Sequence, residues 1–241
     1  MIFLKKHLFI IPLFFLLTCK KENNCDCLKG TGKIVKEERT VAHVNYFKFG
    51  RGKLNCFITN DSIYKVEIEA GSHLIDLIKT EVRGDTLFFT NDNKCNFMRS
   101  YKPQINIYIS TPDLVGIIQT GVGKIKSTNT LTGSFISVET WSSGDVTLDV
   151  NCDDFKSHLH KSTALYVTGT AKNHYSYMWH NSTFFGENLK TVNTYEYDNT
   201  TGNFYCDVSN SLMAQIVLRN SHLCHLLCNR WNHCATFSSS V

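Results

Sequence analysis

The 241-residue chain carries 25 Lys and Arg against 21 Asp and Glu, a formal charge of +4 that becomes +2 without the two N-terminal lysines Lys5 and Lys6. So small an excess gives no basis for nucleic-acid binding or for steering to an acidic surface. Three prolines, fourteen glycines and a 42% hydrophobic content fit one or two β-rich domains with a substantial core.

The first element is a targeting segment, 1–18. Lys5 and Lys6 form a basic start, and 8–17 is an apolar run too short to cross a bilayer, which needs about 20 apolar residues. It ends in Leu16, Leu17, Thr18 and Cys19, which resembles a bacterial lipobox, although Thr18 replaces the usual Gly, Ala or Ser. The resemblance implies lipidation at Cys19, with several acyl chains at ~0.8 kcal/mol per buried methylene giving a durable membrane anchor. Residues 19–28 then read as a polar tether.

Ten cysteines are many for an exported chain, and setting Cys19 aside leaves an odd number. Cys56, Cys152 and Cys206 alternate with apolar residues and are expected in the core as small hydrophobes. Cys25, Cys27, Cys95, Cys224, Cys228 and Cys234 stand in loop-like or terminal contexts. A disulfide is predicted between Cys27 and Cys95, with Cys25 as the alternative partner, closing a loop of about 68 residues.

Over 29–115 the pattern predicts non-repeating paired strands at 46–49, 54–58, 65–69, 81–82, 86–90 and 105–110, separated by Asn, Asp and Gly turns. Only 72–80 admits a turn or two of helix. From 116 to 225 a degenerate repeat of roughly twenty residues takes over. Its turns include Gly121-Val122-Gly123, Ser142-Ser143-Gly144, Ser162-Thr163 and Ser182-Thr183, and continue at Thr200-Thr201-Gly202 and Asn220-Ser221. The apolar residues that open the following strands are Ile125, Val146, Leu165, Phe185, Phe204 and Leu223, at intervals of 21, 19, 20, 19 and 19. A unit this short cannot bury its own apolar face, so coils must stack, and the expected fold is an all-β parallel β-solenoid with the openers in one buried column. The N-terminal strands are expected to cover one end.

Several segments together resemble the autotransporter adhesin "head GIN domain" family of Bacteroidota, over about 30–217. They are Gly30-Thr31-Gly32 with Arg39, Phe47-Lys48-Phe49, Lys65-Val66-Glu67-Ile68-Glu69, Ile78-Lys79-Thr80-Glu81-Val82, Thr86-Leu87, and Ile105-Asn106-Ile107-Tyr108-Ile109 with Thr111-Pro112-Asp113-Leu114. The Gly-rich coil turns add to them. The resemblance implies a right-handed solenoid on an exported, lipid-anchored protein and brings no catalytic motif. It also implies a further glycine-turned, Tyr-rich coil at the C-terminus, where His222, Cys224, His225, Cys228, His233 and Cys234 stand instead. The tail, 226–241, is therefore read as a frameshifted end, ahead of a diverged cap or a metal site.

Three constellations invite chemistry. His160 and His180, with His158, fall at matching points of neighbouring coils, but alternation turns them outward, and no metal is assigned. Aromatics crowd 175–205, which on an exposed face would make a sugar-stacking platform. Their register, matched to Val138 and Ile216, instead assigns Tyr175, Tyr177, Trp179, Tyr195 and Tyr197 to the interior and only Tyr166 and Tyr205 to the outside. Acidic pairs such as Asp153 and Asp154, or Glu67 and Glu69, show no spacing that selects a glycosidase couple. The sequence thus points to a non-enzymatic, adhesin-like outer-membrane lipoprotein without cofactor, on the periplasmic or cell-surface side, binding a protein or glycan. A structural or regulatory envelope protein and a polysaccharide-processing enzyme are the alternatives.

Overall fold

The computed structural model describes residues 30–93 and 104–217, together with the backbone of 234–238. Cys19, Cys25, Cys27, Cys95 and Leu223 lie outside the described residues, as does the tail apart from that backbone. No helix among the described residues is long and apolar enough to cross a membrane.

The chain is a parallel β-solenoid. Strands β8 (Gly116–Gln119) and β9 (Ile125–Ser127) make one coil, and the long strands β10 (Leu131–Thr140), β11 (Val146–Leu159), β12 (Ala164–His180), β13 (Thr183–Thr200) and β14 (Phe204–Ile216) make the rest. Each long strand bends through successive ladders. In β11, 146–148 pairs with β12, 150–152 also meets β10, and 154–159 pairs with both. A last strand, β15 (Cys234–Ser238), continues the ladder in parallel on 212–216 of β14.

Two parallel strands on each side carry the stack toward the N-terminus. Strands β2 (Tyr46–Phe49) and β3 (Asn55–Asn60) pair with β8 and β9, and on their other side with β6 (Thr86–Asn91) and β7 (Asn106–Thr111). The coil formed first in sequence is therefore sandwiched between two that follow it. Antiparallel strands then close the end: β5 (Ile78–Arg83) on β6, β4 (Lys65–Gly71) on β7, and β1 (Ile34–Glu38) on β4. Of these N-terminal strands only β1 was not expected from the sequence; at the other end β15 falls in the tail, for which no strand was expected. The helical content of 72–80 is one 3-10 turn, Ile75–Leu77.

The glycines of the turns are there because neighbouring coils touch backbone to backbone. A Cβ on Gly123 would overlap the Leu54 carbonyl, and one on Gly144 would overlap the Gly123 carbonyl and the Gln119 side chain. Side-chain hydroxyls seal the later turns. Thr163 Oγ1 donates to the Ser142 carbonyl at 2.6 Å, and Thr200 Oγ1 to the Ser182 carbonyl at 3.0 Å.

Inside, Cys56, Ile125, Val146, Leu165, Phe184 and Phe204 form a buried column. The opener of the fourth coil is thus Phe184 rather than Phe185. Two adjacent phenylalanines satisfy an apolar pattern equally, and the coil before them is one residue shorter than the twenty-residue count assumes. Phe185 instead points outward between Tyr166 and Tyr205. Cys56, Cys152 and Cys206 are buried as expected. Burial raises the Cys152 thiol to about 12, so it remains a protonated thiol.

Candidate functional site

The same one-residue slip reverses the aromatic cluster. Val138 is matched by Ser157, Ser176 and Glu196, not by the tyrosines beside them. A strand has a side-chain period of two, so a slip of one residue moves a whole set to the other face. The interior of β12 is His174, Ser176 and Met178; the interior of β13 is Thr194, Glu196 and Asp198. Tyr175, Tyr177, Trp179, Tyr195 and Tyr197 face outward, contrary to the expectation from sequence, and the platform that was set aside exists.

This face is built in rows along the solenoid, with coils ~4.8 Å apart. In one outer row Trp141, His160 and Trp179 stack ring on ring, with centroids 3.8 and 4.6 Å apart and planes within 8° and 6° of parallel. Beside it run Glu139, His158, Tyr177 and Tyr197, where the His158 imidazole meets Tyr177 edge-on at 4.6 Å. A third row runs Ser137, Lys156, Tyr175 and Tyr195, whose two tyrosines stack at 5.2 Å. The Lys156 ammonium sits over the Tyr177 ring at 5.7 Å, and the Trp141 indole N–H donates to Glu139 Oε1. A ladder of amides borders the face: Asn173 donates to Asp154 at 2.8 Å, Asn193 to Asn173 at 3.0 Å and Asn210 to Asn193 at 2.9 Å.

The stacking decides how the face can be used. Inside a stack each ring covers its neighbour's π-face, so the interior rings offer solvent their edges. A free π-face remains where a row ends. Trp141 is such an end: His160 covers one side, while the coil on its other side carries Thr120, and Trp141 is 43% exposed. A second stack of three rings, Tyr166, Phe185 and Tyr205, occupies another outer face, with centroid spacings of 4.5 and 5.3 Å.

The histidines serve this stacking. His160 matches Trp179, not His180, because the intervening coil is nineteen residues long; the His160 and His180 rings are 6.1 Å apart and tilted. Partial burial, with Lys156 near His158 and His180 near His160, holds both imidazoles below their usual range. Among the described residues no group of three His, Cys, Asp or Glu side chains is placed to hold a metal ion. Glu67 is ion-paired with Lys36 and Lys65, and Glu69 accepts from Asn106 and Tyr108, so both serve the N-terminal sheet.

Clefts open on the surface of the described residues. One of about 660 Å³ is lined by Lys172, Lys190 and Asp207 with small polar neighbours and has no aromatic wall. Another, of about 840 Å³, lies at the N-terminal end of the aromatic face and is lined by Lys48, Gly50, Arg51, Phe88 and Thr120 among others.

Residues 50–219 match the family described as "Putative auto-transporter adhesin, head GIN domain". The chain belongs to this family. No curated protein matches the sequence. Among solved structures, the head GIN domain is similar to a "putative adhesin" from Bacteroides fragilis NCTC 9343, at 20% identity and a TM-score of 0.65 over 76% of this chain and 84% of that one. It is also similar to adhesins so described from Parabacteroides distasonis ATCC 8503 and Parabacteroides merdae ATCC 43184, each at 12% identity over 87% of this chain and 93% of theirs, with TM-scores of 0.60 and 0.59. At these identities the shared property is the fold.

Proposed function

We propose that this head GIN domain is a binding protein of the cell envelope, anchored by lipid at Cys19, and that its aromatic face is the surface that engages a glycan. The outward rows of Trp141, His160, Trp179, Tyr177 and Tyr197 carry the reading. Large aromatic side chains on a solvent-facing strand ladder are costly to leave exposed, and an extended rigid face is how solenoids engage long ligands. The family's adhesin description supports a role in binding, and the wide distribution of Ser, Thr and Asn around the face supplies hydroxyl and amide partners for sugar hydroxyls.

Among the described residues the aromatic rows carry one carboxylate, Glu139, engaged by the Trp141 indole, and the bordering Asp154 accepts from Asn173. Hydrolysis of a glycosidic bond by the usual route needs two carboxylates across the scissile bond. That favours binding over processing for this surface. A protein partner in the envelope remains the second reading, favoured by the Tyr166, Phe185 and Tyr205 stack on a separate face.

A glycan array probed with the chain beginning at residue 20, beside a variant carrying W141A and W179A, tests the function. Binding that the double variant loses supports it; a blank array together with protection from protease on intact cells sinks it. Anchoring is tested separately by metabolic labelling with a fatty acid, which a C19A substitution should abolish.

A further inference from the structure

We infer that the N-terminal end of the aromatic face is a subsite for a carboxylated sugar, with the pyranose ring against the free face of Trp141 and its carboxylate at Lys48 and Arg51. The inference rests on the glycan-binding reading and adds the charge and position of the ligand.

The geometry comes from the row in which Trp141 stands. Trp141 N–H bonds to the Gln119 carbonyl and Thr120 N–H to the Phe49 carbonyl, so Thr120 and then Gly50 occupy the two coils beside the indole. Thr120 turns its hydroxyl back onto the Phe49 carbonyl at 3.0 Å, and Gly50 has no side chain. The result is a ledge about 10 Å long, two coil spacings, with an uncovered indole face as its end wall. Thr120 and Gly50 also line the 840 Å³ cleft, so ledge and cleft are continuous, and the volume lies within the range of about 300–1,000 Å³ usual for small-ligand sites.

The opposite wall is basic. The Lys48 ammonium is held over the Phe88 ring at 5.4 Å, and Arg51 is exposed at the rim. Among the described residues neither forms an ion pair, whereas Lys36, Lys65 and Arg83 do. Asp92 also lines the cleft, which leaves an excess of one positive charge there. A guanidinium recognises a carboxylate through two parallel hydrogen bonds, while an aromatic face binds the apolar face of a pyranose; together they select an acidic sugar over a neutral one.

The test is titration of the chain from residue 20 with two oligosaccharides of equal length and linkage, a polyuronate tetramer and its carboxyl-reduced neutral counterpart, followed by calorimetry. The acidic tetramer should bind at least about tenfold more tightly, and that margin should shrink with added salt. K48A with R51A should remove the margin, weakening the acidic tetramer by about tenfold more than the neutral one. W141A should weaken both ligands, and unchanged circular dichroism and melting would show that these surface variants fold. Equal affinity for the two tetramers, or an acidic preference that survives K48A with R51A, would overturn the subsite while leaving the glycan reading standing. Failure of both tetramers to bind, with a blank array, would overturn both.

Discussion

Replacing Glu196 by Gln should reshape the pH dependence of stability. Glu196 occupies an interior row between Ser176 and Ala214 and is 4% exposed. Neither carboxylate oxygen has a hydrogen-bond partner; the Ser176 hydroxyl is close enough to lower the pKa slightly without forming a bond of normal geometry. Burial, with the nearby Asp198 adding to it, raises the acid from 4.5 to about 8. Between these values the folded state holds a proton that the unfolded state has lost, so rising pH favours unfolding by about 1.4 kcal/mol per unit, or about 5 kcal/mol across the interval. His174 acts in the opposite sense. Fully buried among Phe155, Phe184 and Phe204, with Nε2 sharing a hydrogen bond with Ser157 Oγ at 3.0 Å and Nδ1 unpartnered, it is lowered from 6.5 to about 3. It therefore takes stability away as pH falls below 6.5. The two slopes cancel between about 4.5 and 6.5, which gives a plateau with stability falling on either side. Urea unfolding followed by tryptophan fluorescence at half-unit pH steps should show that plateau in the wild type. In E196Q stability should go on rising to about pH 6.5 and then stay level, so that by pH 8 the gap between the two proteins has grown by about 5 kcal/mol over its value near pH 4.5. Parallel profiles for the two proteins would refute the assignment of a buried neutral acid.

His174→Phe keeps a ring in the same aromatic nest; in the same titration it should turn the plateau into a rise of stability as pH falls from about 8 to 4.5 and abolish the loss below about pH 4.5. Gly169 has φ +107, and a Cβ there would overlap the Val150 carbonyl, so Gly169→Ala should destabilise by at least about 2 kcal/mol and lower Tm by about 5 °C in a thermal scan. Asn173→Ala interrupts the amide ladder at its middle and leaves Asp154 and Asn193 short of a partner; a loss of about 1 kcal/mol by urea unfolding is expected. Cys152→Ser places a hydroxyl in an apolar site and should cost about 1–3 kcal/mol, without any change in ligand binding by calorimetry.

The fold was legible because its main determinant is periodic. Ile125, Val146, Leu165 and Phe204 could be chosen by spacing alone, and the glycine turns marked where the coils close. The aromatic face was not legible for the same reason taken one residue too far. From Val138, two coils of nineteen residues lead to Ser176, and one of nineteen with one of twenty leads to Tyr177, on the opposite side of the strand. Hydrophobicity reinforced the error, since His174, Glu196 and Asp198 are poor candidates for an interior and Tyr175, Tyr177 and Trp179 are good ones. The turns held the corrective signal. Counting back four residues from the buried hydroxyls Thr163 and Ser182 reaches Leu159 and Met178, which share the interior row and turn the tyrosines outward. The basic cleft had no sequence signature, because Lys48 and Arg51 meet Thr120 and Trp141 only through pairing of coils some seventy and ninety residues apart in the chain.

The interleaved start of the stack sets an order for assembly. Strand β2 is flanked by partners beginning forty and seventy residues downstream, at Thr86 and Gly116. A chain delivered N-terminus first cannot settle that strand as it arrives, and the opening coil stays unzipped until Gln119 has followed. Pairings this distant close slowly. Once β6 and β8 have locked in from both sides, however, the early coil cannot peel away without first undoing a neighbour, so the coil that is slow to be secured is also protected from fraying.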